Sequence, residues 1–109
     1  MDPKLQEIIG LDEAHFMNTF GKRTPVCFVS GQGSTLTDTA GKTYLDLIGG
    51  IAVNVLGHGH PRLVSAICEQ AARLIHCSSL YYIENQAKLA ARLTALSGLD
   101  RVFFSNSGA

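Results

Sequence analysis

The sequence has no surplus of charge of either sign. Nine basic and nine acidic side chains cancel over 109 residues, which removes the electrostatic argument for a nucleic-acid or anionic-membrane partner. No apolar run approaches the ~20 residues that cross a bilayer. The N-terminus, Met1-Asp2-Pro3-Lys4-Leu5-Gln6-Glu7, lacks the basic-then-apolar order of a signal peptide. There is no low-complexity tract and no internal repeat. Cysteine is scarce and odd in number: Cys27, Cys68 and Cys77 have no metal-type spacing, so buried free thiols in a reducing cytoplasm are expected. What remains is the composition of a soluble globular protein, 46% hydrophobic and 17% charged.

Asp2-Pro3 supplies an N-cap and a first helical position, and Leu5, Ile8 and Ile9 follow at helical spacing. This helix is expected to end near Gly10 or to continue irregularly through Phe16. From Val26 the pattern becomes strand-like. Val26–Val29, Ser34–Thr37 and Lys42–Leu47, separated by Gly31-Gln32-Gly33 and by Asp38-Thr39-Ala40-Gly41, predict a small antiparallel meander. Gly49–Gly57 is apolar but broken by glycines, which predicts a buried, glycine-hinged loop. His60-Pro61 then opens a helix whose apolar stripe includes Leu63, Val64, Ile67, Cys68 and Ala71. A second helix is expected from about Glu84 to Ser97, with Gly98 as its C-terminal stop. Val102-Phe103-Phe104 reads as a short buried strand that wants neighbours on both sides, as in a parallel sheet.

Several segments invite a chemical reading. Ala40-Gly41-Lys42-Thr43 resembles the end of a phosphate-binding loop, but Leu36 stands where that motif needs glycine and a strand pattern follows, so a hairpin turn is expected. Gly31-Gln32-Gly33 lacks the third glycine of a dinucleotide site and reads as a turn. His58 and His60 have no further ligand cluster beside them. They read as helix entry, with His60 as the cap, rather than as a metal site. Tyr81-Tyr82 admits either core packing or a pocket or interface contact. Ser105-Asn106-Ser107-Gly108-Ala109 follows the last strand as a tight turn opening a helix. Converging N–H groups there would make a phosphate cup, with Ser107, Gly108 and Ala109 as the donors.

Taken together, Phe16–Gly21, Asp38–Asp46, Gly50–Pro61, Leu74-Ile75-His76, Leu80-Tyr81-Tyr82 and Leu99–Ala109 resemble, in order and spacing, the N-terminal third of the class III aminotransferases that depend on pyridoxal phosphate. The resemblance covers nearly the whole chain. It implies an α/β protein, the N-terminal portion of a fold-type I transferase. Residues 1–57 would belong to a small domain, and residues 58–109 would begin the large, mainly parallel α/β domain that binds pyridoxal 5'-phosphate.

By the same resemblance, Ser107, Gly108 and Ala109 hold the cofactor phosphate, and Phe20, Gly50, Ile51 and Val53 line the substrate region. Ser78, Ser79, Leu80 and Tyr81 reach toward the neighbouring subunit's site in a homodimer. The expected substrates are a small amine, of the acylated-ornithine, ornithine or 4-aminobutyrate type, and 2-oxoglutarate. Phe20 stands where many members carry Tyr, which removes a hydroxyl that could meet a substrate carboxylate. Lys4, Lys22, Lys42 and Lys88 do not match the family's cofactor lysine. That lysine and the acid beneath the ring nitrogen are expected beyond Ala109, so no catalytic residue is expected here. The same segments also admit a related aminomutase or a small binding module complete at this length.

Overall fold

The computed structural model describes residues 1–108. Two compact units divide the chain, Met1–Cys68 and Glu69–Ala109.

The first unit opens with helix α1 (Pro3–His15). Asp2 caps it: its side chain accepts the Leu5 N–H at 3.0 Å, satisfying one of the four free N–H groups of a helix start. The helix passes Gly10 without a break and ends at Phe16, whose N–H donates to the Asp12 carbonyl. Leu5, Ile8 and Ile9 are half-buried on one face and line a groove of about 860 Å³ together with Val26, Cys27 and Phe28. Arg23 pairs with Asp12 and lies over the Phe16 ring, 4.7 Å from its centroid, which ties the chain after α1 back onto the helix.

Strands β1 (Phe28–Gln32), β2 (Thr35–Asp38) and β3 (Thr43–Leu45) form the expected antiparallel meander, in the order β1-β2-β3. Gln32 pairs with Thr35, so Gly33-Ser34 is a two-residue hairpin turn. The register slips between Phe28 and Ser30, a bulge at Val29. The β2–β3 turn is organised by Asp38: one carboxylate oxygen accepts the Ala40 and Lys42 N–H groups, and the other accepts the Tyr44 hydroxyl at 2.9 Å. The Phe28 and Tyr44 rings meet edge to face at 5.4 Å. Gly41-Lys42 therefore sits in a hairpin connection, as its strand context predicts, and opens no helix.

After β3 comes a single turn, α2 (Gly49–Ala52), and then helix α3 (Pro61–Arg73), which runs across the boundary between the units. The expected capping role of His60 takes a different form. Its carbonyl accepts the Val64 N–H, whereas its Nδ1 is buried without a partner.

In the second unit, helix α4 spans Glu84–Ser97 as the sequence predicts, and Gly98 ends it at φ 72°, donating its N–H to the Thr94 carbonyl. Glu84 and Lys88 pair on its surface.

Three expectations are corrected. The thiols are not buried: Cys68 is exposed, and Cys27 and Cys77 are half-buried. Gly49–Gly57 is not buried: Ile51 is 85% exposed, and Val53 and Val55 are also exposed. Arg101–Phe104 forms no strand, and Phe103 is 90% exposed. A strand needs a partner for its N–H and C=O groups, and among the described residues no strand pairs with this one. Apolar sequence by itself fixed neither burial nor pairing. Among the described residues no side chain is fully buried.

Candidate functional site

In the first unit the site is built on the tip of the β1–β2 hairpin. Gly33 and His58 exchange two backbone hydrogen bonds, Gly33 N–H to His58 O at 2.9 Å and His58 N–H to Gly33 O at 2.8 Å. Beside them the Asp46 N–H donates to the Ser34 carbonyl at 2.8 Å. The segment between Asp46 and His58 therefore leaves from and returns to the same two-residue turn.

Its ends are also joined through side chains. His58 Nε2 lies 2.7 Å from Asp46 Oδ2, while Asp46 Oδ1 accepts the Ile48 N–H at 3.0 Å and the Gly49 N–H at 2.9 Å. The Asp46 side chain is only 8% exposed and that of His58 23%. The Gly49 amide, and after it the His58 imidazole, hold the Asp46 carboxyl below the usual carboxylate range, outweighing the opposing effect of desolvation.

What this frame holds is unusual backbone. Gly49, Gly50, Ile51 and Ala52 all have positive φ, at 56°, 68°, 64° and 59°. Glycine accepts this freely. Ile51 and Ala52 do not, because a Cβ in the left-handed region crowds the following carbonyl, at roughly 1–2 kcal/mol per residue. A β-branched residue there is a true outlier. The turn closes on itself through Ala52 N–H to Ile48 O and Val53 N–H to Gly49 O, both 2.9 Å. Its result is that Ile51 and Val53 project outward from a fixed base.

These positions are the substrate-region residues expected from the sequence. Gly50, Ile51 and Val53 fall in or directly after the turn. Phe20 lies elsewhere in the first unit, 76% exposed, and among the described residues no hydrogen bond or ring contact joins it to the turn. Sequence reading missed Asp46 and the role of His58. The available signal was an Asp three residues before a Gly-Gly pair, a spacing suited to capping N–H groups.

In the second unit, the structure brings two expected segments to one cleft. Ser79, Tyr81 and Tyr82 line a cavity of about 250 Å³ together with Val102 and Phe104, on the stretch leading to Ser107. The 78–81 segment is shaped by Ser78, at φ 74°, whose hydroxyl accepts the Leu80 N–H and whose carbonyl accepts the Tyr81 N–H, both at 3.3 Å. Tyr81 and Tyr82 thus line a cleft rather than a core.

Further on, the Ser105 hydroxyl donates to the Ser107 carbonyl and bends the chain at Asn106-Ser107. Gly108 opens onto free space, since a Cβ there would meet nothing within 4 Å. Hydroxyl-bearing and glycine residues at a bend are of the types that a phosphate-binding turn uses. Ala109 lies outside the described residues.

The aminotransferase class-III model matches residues 16–109, and the chain belongs to that family of pyridoxal-phosphate-dependent enzymes. Over 96 residues it is 55% identical to the acetylornithine aminotransferase of Nitrosomonas europaea, a match covering 88% of this chain and 24% of that protein. Among solved structures it resembles the N-acetylornithine aminotransferase of Stenotrophomonas maltophilia K279a, with TM-score 0.80 and 39% identity over 92% of this chain and 26% of that one. It also resembles the ornithine aminotransferase of Toxoplasma gondii ME49, with TM-score 0.87 and 26% identity over 95% of this chain and 24% of that one. The chain spans about a quarter of the length of these relatives. Its helices and small antiparallel meander are the N-terminal portion of the aminotransferase fold. No helix among the described residues is long and apolar enough to cross a membrane.

Proposed function

We propose that the protein carrying this sequence moves the side-chain amino group of N-acetyl-L-ornithine to 2-oxoglutarate, giving N-acetyl-L-glutamate 5-semialdehyde and L-glutamate, a step of arginine biosynthesis. The observation that carries this reading is the 55% identity to an acetylornithine aminotransferase over most of the chain.

Ser107, Gly108 and Ala109 would hold the phosphate of pyridoxal 5'-phosphate, through the Ser107 hydroxyl and the backbone N–H groups. When bound, that cofactor supplies an electron sink for the carbon that loses its proton. The work of this chain's residues is positioning. Gly50, Ile51 and Val53 would form one wall of the substrate entrance, with Phe20 contributing a ring that carries no hydroxyl. An apolar wall excludes water and favours the methylene chain of an ornithine-type donor.

Ser78, Ser79, Leu80 and Tyr81 would face the neighbouring subunit's site in a homodimer. Residues 1–57 would pack in the small domain and residues 58–109 would begin the large one. The lysine that binds the cofactor covalently would come from sequence other than these residues. Three unpaired thiols, Cys27, Cys68 and Cys77, suit the reducing cytoplasm.

A second reading, ornithine itself as donor, is favoured by the T. gondii likeness. Glutamate formation from 2-oxoglutarate by the full-length protein, with N-acetylornithine, ornithine, succinylornithine and 4-aminobutyrate as competing donors, separates these readings. The highest kcat/KM is expected for N-acetylornithine; a higher value for ornithine would select the second reading.

A further inference from the structure

The Asp46–His58 pair does more than close a loop. The side-chain bonds that fix the start of the left-handed turn pass through Asp46 Oδ1, and the other oxygen of that carboxylate is held by His58. His58 is in turn seated by the hairpin. Its backbone pairs with Gly33, and its Cβ and Cγ lie where a Cβ on Gly31 would be, 2.9 and 2.8 Å away. Gly57, at φ 77°, is packed as closely against Gly33. The hairpin thus seats an imidazole, the imidazole holds a carboxylate, and the carboxylate holds the N–H groups of Ile48 and Gly49 at the entry to the turn. The turn holds Ile51 and Ala52 in a conformation they would leave if released.

We propose that His58 is a positioning residue: through Asp46 it keeps the Gly49–Ala52 turn in its left-handed form, so that Ile51 and Val53 stand as a preformed wall for the amine substrate. This rests on the reading of that turn as part of the substrate entrance. A preformed wall raises the fraction of protein competent to bind. Releasing it raises the apparent KM by the inverse of that fraction, while a bound substrate still reacts.

The test uses the full-length protein with cofactor. In His58→Leu, amide hydrogen exchange at Ile48, Gly49, Ala52 and Val53 should quicken about tenfold or more, as expected for a local opening, while Leu36 and Tyr44 in the meander keep their rates. The apparent KM for the amine donor should rise about tenfold, with kcat changed less than threefold. His58→Gln, which keeps the Gly33 backbone pair and offers an amide N–H to Asp46, should restore most of both.

Ala52→Gly leaves the clamp untouched and removes a strained Cβ. It should slow exchange at the amide of position 52 and at the Val53 amide relative to the parent, which tests the strained turn even if His58→Leu fails to fold. Unchanged exchange in His58→Leu overturns the proposal, and so, if that variant does not fold, does parent-like exchange in His58→Gln together with unslowed exchange in Ala52→Gly. So does quickened exchange with KM unmoved and kcat reduced, the pattern of a merely structural histidine. If the parent turned over none of the amines, the aminotransferase reading would fall, and the exchange rates would still decide whether His58 holds the turn.

Discussion

Gly31 and His58 occupy space that only one of them can fill: a Cβ on Gly31 would lie 2.8 Å from His58 Cγ and 3.0 Å from Leu36 Cδ2. Real carbon atoms do not approach so closely, and His58 is held by its own backbone pair with Gly33. Gly31→Ala should therefore destabilise the full-length protein by about 1–3 kcal/mol, the usual range for overpacking. The check is the midpoint of chemical denaturation. An unchanged midpoint would mean that His58 is free to move aside.

Gly10 gives the opposite expectation. It sits inside α1, with nothing within 4 Å of an added Cβ. Gly10→Ala should stabilise by roughly 0.5–1 kcal/mol, because alanine loses less backbone freedom in a helix. Read in the same denaturation experiment, the pair separates close approach from helix propensity.

Gly98 isolates a third effect. No atom lies within 4 Å of its would-be Cβ, yet its φ is 72°. Gly98→Ala should cost about 1 kcal/mol through backbone strain alone. Gly98→Asn should cost less, since asparagine tolerates the left-handed region. Thermal melts of the two variants give the comparison.

Acid should release both aspartate-centred turns. Desolvation raises the Asp38 carboxyl, but the Lys42 and Ala40 amides and the Tyr44 hydroxyl outweigh it, so Asp38 ends below its ordinary value. Asp46 is lowered by the Gly49 amide and by His58. A carboxylate lowered on folding adds stability above its unfolded pKa, about 3.9, and loses it as pH falls through the lower folded value. Stability should be flat with respect to these groups above about pH 5 and fall below about pH 4. In Asp38→Asn the acid slope should be shallower. An identical slope in that variant would show that Asp38 contributes nothing to it.

The elements that were legible in the sequence are those fixed by neighbours in the chain. The Asp2-Pro3 start of α1, the whole of α4 with its Gly98 stop, and the meander follow from local caps and alternation. The left-handed turn was not legible, because an Ile at φ 64° is held by Asp46 and His58, whose pairing spans a loop that no local pattern encodes. Val102–Phe104 failed for a related reason: the residues have strand character, but a strand exists only with a partner. Family resemblance drew attention to Gly50, Ile51 and Val53, which fall in or directly after the left-handed turn, but gave no role to Asp46 and His58, the side chains that fix that turn.

N-acetylornithine is the proposed donor of the full-length aminotransferase. The most direct measurement is the absorbance of bound cofactor in the purified full-length protein on adding single amines without 2-oxoglutarate. N-acetylornithine should shift the spectrum at the lowest concentration, and 2-oxoglutarate should then restore it. A spectrum unmoved by N-acetylornithine but bleached by 4-aminobutyrate would contradict it.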